Sequence, residues 1–184
     1  MNWDVAVLYA INGLAEQSAL LDAMMLALAR PSSLVIPAFC VFGYWVWMDR
    51  REAFIGAAVL TALVAFGDLL GAQVKHAVAR SRPCWLLDGI HQLAGCGGTF
   101  SFPSNHALNT AAAAAFAQVL YPWTGWITWP LVTLIGFSRV YVGAHFFSDV
   151  IGGWIIGAIL GIGTALLLAR SKFFQTGAGH EARG

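Results

Sequence analysis

Five long stretches of this chain are mostly apolar, and they constrain the fold more than any other feature. An α-helix needs about 20 residues to cross the hydrocarbon core of a bilayer. Within that core every backbone N–H and C=O must be paired inside the protein, which a helix achieves on its own. We therefore predict an all-α, multi-pass membrane bundle. Its predicted spans are residues 32–48, 53–74, 105–121, 124–141 and 150–169.

The composition favours a membrane protein over a soluble one. Hydrophobic residues make up 59% of the chain and charged residues 10%, whereas soluble domains average about 45–50% and about 25%. The net charge of +1 gives no basic footprint for nucleic acid. Residues 1–184 contain no linker-like stretch and are expected to form one domain. The first residues lack the pattern of a cleavable signal peptide, so the apolar segments are expected to stay in the mature protein.

Shorter segments complete the predicted bundle. Residues 3–15 have the pattern of an amphipathic helix, so residues 1–16 are expected to lie at the membrane interface. Residues 18–29 are apolar and stop at Arg30-Pro31. The polar, Gly-rich segment 75–104 cannot lie exposed in hydrocarbon. We expect about six helical segments, five or six of which cross the membrane.

Basic residues set the expected orientation. If the spans alternate, four of them share one side: Arg50, Arg51, Arg170 and Lys172. The positive-inside rule places that side, with the tail 171–184, in the cytoplasm. The 75–104 segment and the 139–149 turn then face the periplasm or exterior. We expect a protein of the inner membrane with its functional site at the outer face.

Two smaller patterns bear on packing and redox state. Gly153, Gly157 and Gly161 recur every four residues, which places small residues on one helix face where a neighbouring helix can approach closely. Cys84 and Cys96 both lie in the predicted exterior segment. In an oxidising compartment they form a disulfide, or they are two unrelated thiols.

Three clusters of polar residues fall at the same predicted membrane face. They are Lys75 with Arg82-Pro83, then Pro103-Ser104-Asn105-His106, then Ser138-Arg139 with His145 and Asp149. Three permanent cations with many N–H donors suit the oxygens of a phosphate. Ser104 adds a hydroxyl, and the helix that begins at Asn105 presents free backbone N–H groups to an anion.

The two histidines supply the remaining chemistry. His145 and Asp149 are four residues apart, so one helical turn brings them together. Asp149 is expected to orient the ring of His145 and leave one nitrogen free to attack phosphorus, while His106 protonates the leaving oxygen. No carboxylate pair offers a metal cage, so the cations are expected to replace a metal ion and no cofactor is expected.

Simpler interpretations exist for each residue alone. A histidine near a membrane surface is usually an interfacial hydrogen-bonding group, basic residues at helix ends are usually anchors, and Asp149 could cap the last helix. We expect Asp68 to make a structural hydrogen bond to a neighbouring helix. Arg80, Asp88 and His91 are interpreted as solvated loop residues.

The three clusters together resemble the signature of the type-2 phosphatidic acid phosphatase superfamily. Ten specified positions match in order across residues 75–149. The resemblance implies that His145 becomes a phosphohistidine, that Asp149 orients it and that His106 is the general acid. It also implies that the phosphate is held by Lys75, Arg82, Ser104 and Arg139. Asn105 replaces the glycine usual in the second motif and could still offer its backbone N–H to the phosphate.

The resemblance and the apolar spans together predict an integral membrane lipid phosphatase. Undecaprenyl diphosphate is the favoured substrate, and phosphatidylglycerophosphate, phosphatidic acid and lipid A are the alternatives. A vanadate-dependent haloperoxidase would use the same cage, and a non-enzymatic transporter or scaffold could share the bundle. The sequence specifies no oligomeric state.

Overall fold

The computed structural model describes residues 2–171, and within them the chain forms helices and no strand. The all-α prediction is therefore confirmed. Residues 2–171 contain eight α-helices rather than about six, and two of them are preceded by a short 3-10 turn. The short helix α5 lies in the 75–104 segment, where no helix was predicted, and the others differ from the predicted bounds by a few residues. The predicted tail at 171–184 lies outside the described residues apart from Ser171. The helices are α1 (Trp3–Asn12), α2 (Ala19–Ala29), α3 (Val35–Met48), α4 (Arg50–Val78), α5 (Pro83–Leu86), α6 (Asn105–Leu120), α7 (Gly125–Tyr141) and α8 (Phe147–Ala169).

The long apolar helices make the chain an integral membrane protein. Three segments are long and apolar enough to cross a bilayer: Pro31–Met48, Arg50–Val78 and Phe147–Ala169. Apolar side chains on α3 point outward, as lipid-facing residues do. The predicted spans at 105–121 and 124–141 form α6 and α7, of 16 and 17 residues. Both are shorter than the about 20 residues of a typical spanning helix.

Helix α6 is the centre of the bundle and contacts α4, α7 and α8. Its buried face is rich in alanine, which lets the neighbouring backbones come close. The glycines of α8 lie on this contact: a Cβ atom at Gly153, Gly157 or Gly161 would collide with the carbonyl oxygens of Ser104, Leu108 and Ala112. The predicted close packing at these three glycines is confirmed.

Helix α4 runs further at both ends than the predicted span 53–74. It begins at Arg50 because the Asp49 side chain caps it, accepting a hydrogen bond from the Glu52 N–H at 2.8 Å. It continues to Val78, which places Lys75 in its last turn, where a cation is favoured by the helix dipole. Lys75 thus lies on a helix rather than in a loop.

Helix α1 is docked against the bundle by polar groups. It ends at Asn12, and its buried residues include Asp4 and Asn12. The Asn12 side chain donates to the carbonyl oxygens of Tyr141 at 2.8 Å and His91 at 2.9 Å. The expected interfacial helix over residues 1–16 is therefore shorter than predicted, and its polar face points inward.

The helix directions bring the three sequence clusters to one end of the bundle. The C-terminal ends of α4 and α7 lie there with the N-terminal ends of α6 and α8, since these are the ends that carry the clusters. Arg50, Arg51 and Arg170 lie at the other ends of α4 and α8, as predicted from alternating spans.

The glycine contact predicts a sharp difference between two positions on α8. Gly157→Leu places a side chain against the backbone of α6 and should lower the free energy of unfolding by about 3 kcal/mol. Gly163→Leu is the matched control, because no atom lies within 4 Å of a Cβ built there. Thermal unfolding of the two variants in detergent measures the difference. Equal melting temperatures would show that the α6–α8 contact tolerates a side chain.

Candidate active site

The segment between α4 and α6 covers one side of the clustered polar residues. Its two cysteines are joined: Cys84 and Cys96 form a disulfide with their Cα atoms 5.9 Å apart. The bond ties α5 to the loop that lines an open cavity of about 390 Å³. Arg82, His106 and Arg139 line the same cavity. The disulfide therefore fixes this loop beside the cations. Of the two alternatives left open by the sequence, a disulfide and two unrelated thiols, the disulfide is the one present.

His145 and Asp149 lie side by side at the start of α8. The Nδ1 atom of His145 is 3.7 Å from Oδ2 of Asp149, longer than a normal hydrogen bond. The same Oδ2 accepts a hydrogen bond from the Phe146 N–H at 2.9 Å. Asp149 is thus both the cap of α8 and the carboxylate next to His145, so the two interpretations of this residue hold together.

The other ring nitrogen of His145 faces a cation. Its Nε2 atom is 3.3 Å from Nη1 of Arg82, and since a guanidinium only donates, Nε2 must be the acceptor. The ring proton then lies on Nδ1, towards Asp149. Burial and the guanidinium of Arg82 lower the pKa of His145 to about 3, against the opposing effect of Asp149. The ring is neutral at physiological pH, with its lone pair on Nε2.

Backbone carbonyls hold the three cations in place. The Nη1 atom of Arg82 donates to the Ala144 carbonyl at 3.0 Å, and the Nη1 atom of Arg139 donates to the Ala29 carbonyl at 2.8 Å. Lys75 donates to the carbonyl oxygens of Ser101 and Pro103, and so lies beneath the second cluster. Within residues 2–171, none of these three cations forms a salt bridge with a carboxylate.

Several polar atoms around these cations are buried and unpaired. Buried polar groups are normally hydrogen-bonded, so a cluster of unpaired ones indicates room for a polar ligand. The start of α6 has no side-chain cap, and the N–H groups of its first turn have no partner in the helix. Donors and cations together suit a tetrahedral oxyanion. Among these unpaired atoms are Nε of Arg82, Oγ of Ser104, Nε2 of His106 and Nε of Arg139.

A second cavity, of about 220 Å³, adjoins the first. Pro31 and His106 line both cavities, and Leu34, Asp68 and Asn109 are among the residues that line only the second. It lies between the 3-10 turn Pro31–Leu34, which precedes α3, and the helices α4 and α6. His106 stands at the boundary between the two spaces.

Asn105 uses its side chain for a different purpose from phosphate binding. Its Nδ2 donates to Oδ1 of Asp68 at 2.9 Å, and Nδ2 of Asn109 donates to the same oxygen at 2.9 Å. The expected hydrogen bond from Asp68 to a neighbouring helix is present. The backbone N–H of Asn105, in the first turn of α6, stays a predicted donor to a phosphate.

Arg80 is the main residue that the sequence interpretation missed. It was expected in solvent, but its guanidinium is 2.7 Å from Asp149 and 2.7 Å from Asp4. It also donates to the Ser148 hydroxyl at 2.6 Å and lies 4.1 Å from the centre of the Phe146 ring. Arg80 therefore joins α1 to the carboxylate beside His145. The sequence did offer one signal: Arg80 is a basic residue on the predicted exterior side, which the positive-inside rule disfavours. Such a residue is expected to have a role other than setting the topology.

Comparisons with known proteins agree with this geometry. The family model of the PAP2 superfamily matches residues 53–173. A lipid A 4′-phosphatase of Porphyromonas gingivalis is 30% identical over 89% of this chain and 72% of its own length. A lipid A 1-phosphatase of Rhizobium etli is 28% identical over 92% and 87%. An undecaprenyl-diphosphatase of Bacillus subtilis is 27% identical over 88% and 81%.

Two solved structures share the fold. A transmembrane PAP2-type phosphatidylglycerolphosphate phosphatase from Bacillus subtilis superposes with a TM-score of 0.69 at 24% identity, over 95% of this chain and 90% of that one. LpxE from Aquifex aeolicus superposes with a TM-score of 0.68 at 27% identity, over 89% and 95%. The first likeness shows the arrangement of helices alone.

The Arg80 ion pairs predict a loss of both stability and turnover. Arg80→Ala leaves the buried carboxylates of Asp4 and Asp149 unpaired, which should lower the free energy of unfolding by about 3 kcal/mol. Arg80→Lys keeps the positive charge but loses the guanidinium fork that spans two carboxylates. Its stability and turnover should therefore lie between those of the native chain and those of Arg80→Ala. Thermal unfolding and lipid phosphatase activity are the measurements, with Arg170→Ala at the opposite end as control. An Arg80→Ala protein with the melting temperature and turnover of the native chain would contradict the structural role.

Proposed function

The chain belongs to the PAP2 superfamily as a membrane lipid phosphatase, and on that premise we propose that it transfers the lipid's phosphate to His145 before water releases it. One observation carries the proposal. The neutral ring of His145 directs Nε2 towards Arg82, among cations and unpaired donors suited to a phosphate. A nucleophile inside an oxyanion cage is the arrangement that phosphoryl transfer requires.

The first step makes a phosphohistidine. Nε2 of His145 attacks phosphorus, the bond from phosphorus to the leaving oxygen breaks, and that oxygen takes a proton from His106. Asp149 stabilises the positive charge that develops on the ring of His145. Arg82, Arg139 and the first-turn N–H groups of α6 hold the non-bridging oxygens as their charge rises.

The second step reverses the proton transfer. His106, now neutral, takes a proton from a water molecule that attacks phosphorus, and the bond to His145 breaks. The products are the dephosphorylated lipid and inorganic phosphate. The cations and donors of the cage recognise the phosphate and do not by themselves specify the lipid that carries it.

We place the site on the outer face of the inner membrane. Arg50, Arg51 and Arg170 at the far end of the bundle favour a cytoplasmic location for that end. The disulfide between Cys84 and Cys96 lies at the site end, and disulfides persist in oxidising compartments. Two independent features thus support the same orientation.

Two kinds of lipid are the candidate substrates. Undecaprenyl diphosphate is the expectation from the sequence, and a relative with that activity in its name aligns over most of the chain. Lipid A phosphates appear in the names of two relatives that align over about nine-tenths of it. Phosphate release from undecaprenyl diphosphate, phosphatidylglycerophosphate, phosphatidic acid and lipid A tests the proposal.

The two histidines should fail in different ways. His145→Ala removes the attacking nitrogen, so turnover and phosphoenzyme should both disappear while the protein stays folded. His106→Ala should slow lipid turnover by about 10²- to 10⁴-fold yet still form phosphoenzyme from an aryl phosphate, whose leaving group needs no proton. A ³²P label that is stable to base and labile to acid reports the intermediate, and His91→Ala is the control. Native turnover in His145→Ala would end the proposal.

The pKa of His145 predicts a weak acid limb. An ordinary histidine has a pKa of about 6.5. His145 has a pKa of about 3, so its ring remains neutral above that pH. The substrate phosphate itself titrates with a pKa of about 6, so rates are compared after correction for its protonation. The corrected rate of phosphoenzyme formation from an aryl phosphate should change by less than about threefold between pH 5 and 7. Because the folded pKa is the lower one, the unfolded chain binds more protons, and stability falls as pH drops below about 6.5. A tenfold loss per pH unit beginning near 6.5 would contradict the buried neutral ring.

A further inference from the structure

The second cavity contains a carboxylate that the phosphate chemistry does not use. Asp68 lies seven residues before Lys75 on α4, two helical turns and about 10 Å deeper in the membrane. Ionisable groups at such depth are costly and usually serve a function. Asp68 is exposed and lines the second cavity with Pro31 and Leu34. Asp68 therefore lines this cavity beside two apolar residues and four other polar ones.

The neighbouring amides fix what this carboxylate presents. A carboxylate only accepts, so Asn105 and Asn109 must both turn their NH₂ groups to Oδ1 of Asp68. Their own oxygens then lie against α4, within 2.9 Å of the Cβ positions of Gly67 and Gly71. Within residues 2–171, no hydrogen bond reaches the other oxygen of Asp68. That oxygen is the acceptor available to a ligand in the cavity.

In the proposed mechanism the leaving group lies beside the second cavity. His106 protonates the leaving oxygen, and it lines both cavities. Arg82 and Arg139 line the first cavity and suit the phosphate. The second cavity adjoins the first at His106, so it is the space that remains for the leaving group.

We propose that Asp68 forms a subsite for the leaving group, and that it selects lipids in which a hydroxyl or amide N–H group adjoins the scissile phosphate. Such a group donates to the free oxygen of Asp68. A second phosphate at the same place meets a like charge and is disfavoured. The substrate class is then a phosphate monoester on a hydroxylated or amide-bearing head group, such as an acylated amino sugar, rather than a diphosphate. This inference rests on the proposed function.

A purely structural role makes a different prediction. If Asp68 only ties α4 to α6 through Asn105 and Asn109, its replacement should reduce activity towards all lipids by the same factor. A leaving-group subsite changes the ratio between lipids. That ratio is independent of the fraction of protein that is folded, so it is the informative measurement.

The test uses the purified full chain in mixed micelles with three probes: a prenyl diphosphate, the matching prenyl monophosphate and an acylated glucosamine 1-phosphate. The native chain should favour the sugar phosphate over the diphosphate by about tenfold or more in kcat/KM. Asp68→Asn should raise the diphosphate-to-monophosphate ratio by about tenfold and reduce the advantage of the sugar phosphate. Asp68→Glu keeps the charge and should keep the native order. Leu69→Ala, on the lipid-facing side of the same helix, should change no ratio.

Three outcomes would overturn the subsite. The first is a native chain that prefers the diphosphate, and the second is an Asp68→Asn protein that slows on all three probes equally. The third is Asp68→Glu behaving as Asp68→Asn does. A folded native chain that hydrolyses none of the three probes would instead remove the proposed function, and the subsite with it.

Discussion

The carboxylate of Asp149 is the interaction on which the rest of the site depends. It is fully buried. Its Oδ1 accepts a hydrogen bond from Arg80 and its Oδ2 accepts one from the Phe146 N–H, while Nδ1 of His145 lies 3.7 Å from Oδ2. Its backbone carbonyl accepts a hydrogen bond from the Ser104 N–H at 3.0 Å. One residue therefore contacts the start of α8, the start of α6 and the proposed nucleophile. Removing a partner of such a buried charge is costly, because it leaves the charge uncompensated.

The cations show how a membrane bundle prepares for an anion. Lys75, Arg82 and Arg139 repel each other, and the protein holds them with carbonyl oxygens rather than carboxylates. Carbonyls fix the position of a cation without cancelling its charge. In the proposed mechanism this positive field is available to the phosphate of the substrate, whose charge relieves the repulsion. Preorganised charge of this kind need not be rearranged as the reaction proceeds.

The sequence predicted those features that depend on local spacing. The apolar runs gave the helices, the four-residue interval gave the pairing of His145 with Asp149, and the repeated glycines gave the α6–α8 contact. It missed the partners of Arg80, because Asp4 and Asp149 lie far from Arg80 along the chain and no local pattern links them. For Asn105 it did not predict the pairing of the side chain with Asp68, because that pairing depends on how α4 packs against α6.

The hydrogen bond from the Ser148 N–H to Asp4 joins residues 144 positions apart. It closes almost the whole chain into a ring, with the first helix fastened to the start of the last. Contacts of such high sequence separation carry the largest loop-closure cost and form late in folding. The site is therefore completed only after the final helix has entered the bilayer. In the proposed mechanism catalysis begins only with the completed bundle, because Asp149, the carboxylate beside the proposed nucleophile His145, lies on that last helix.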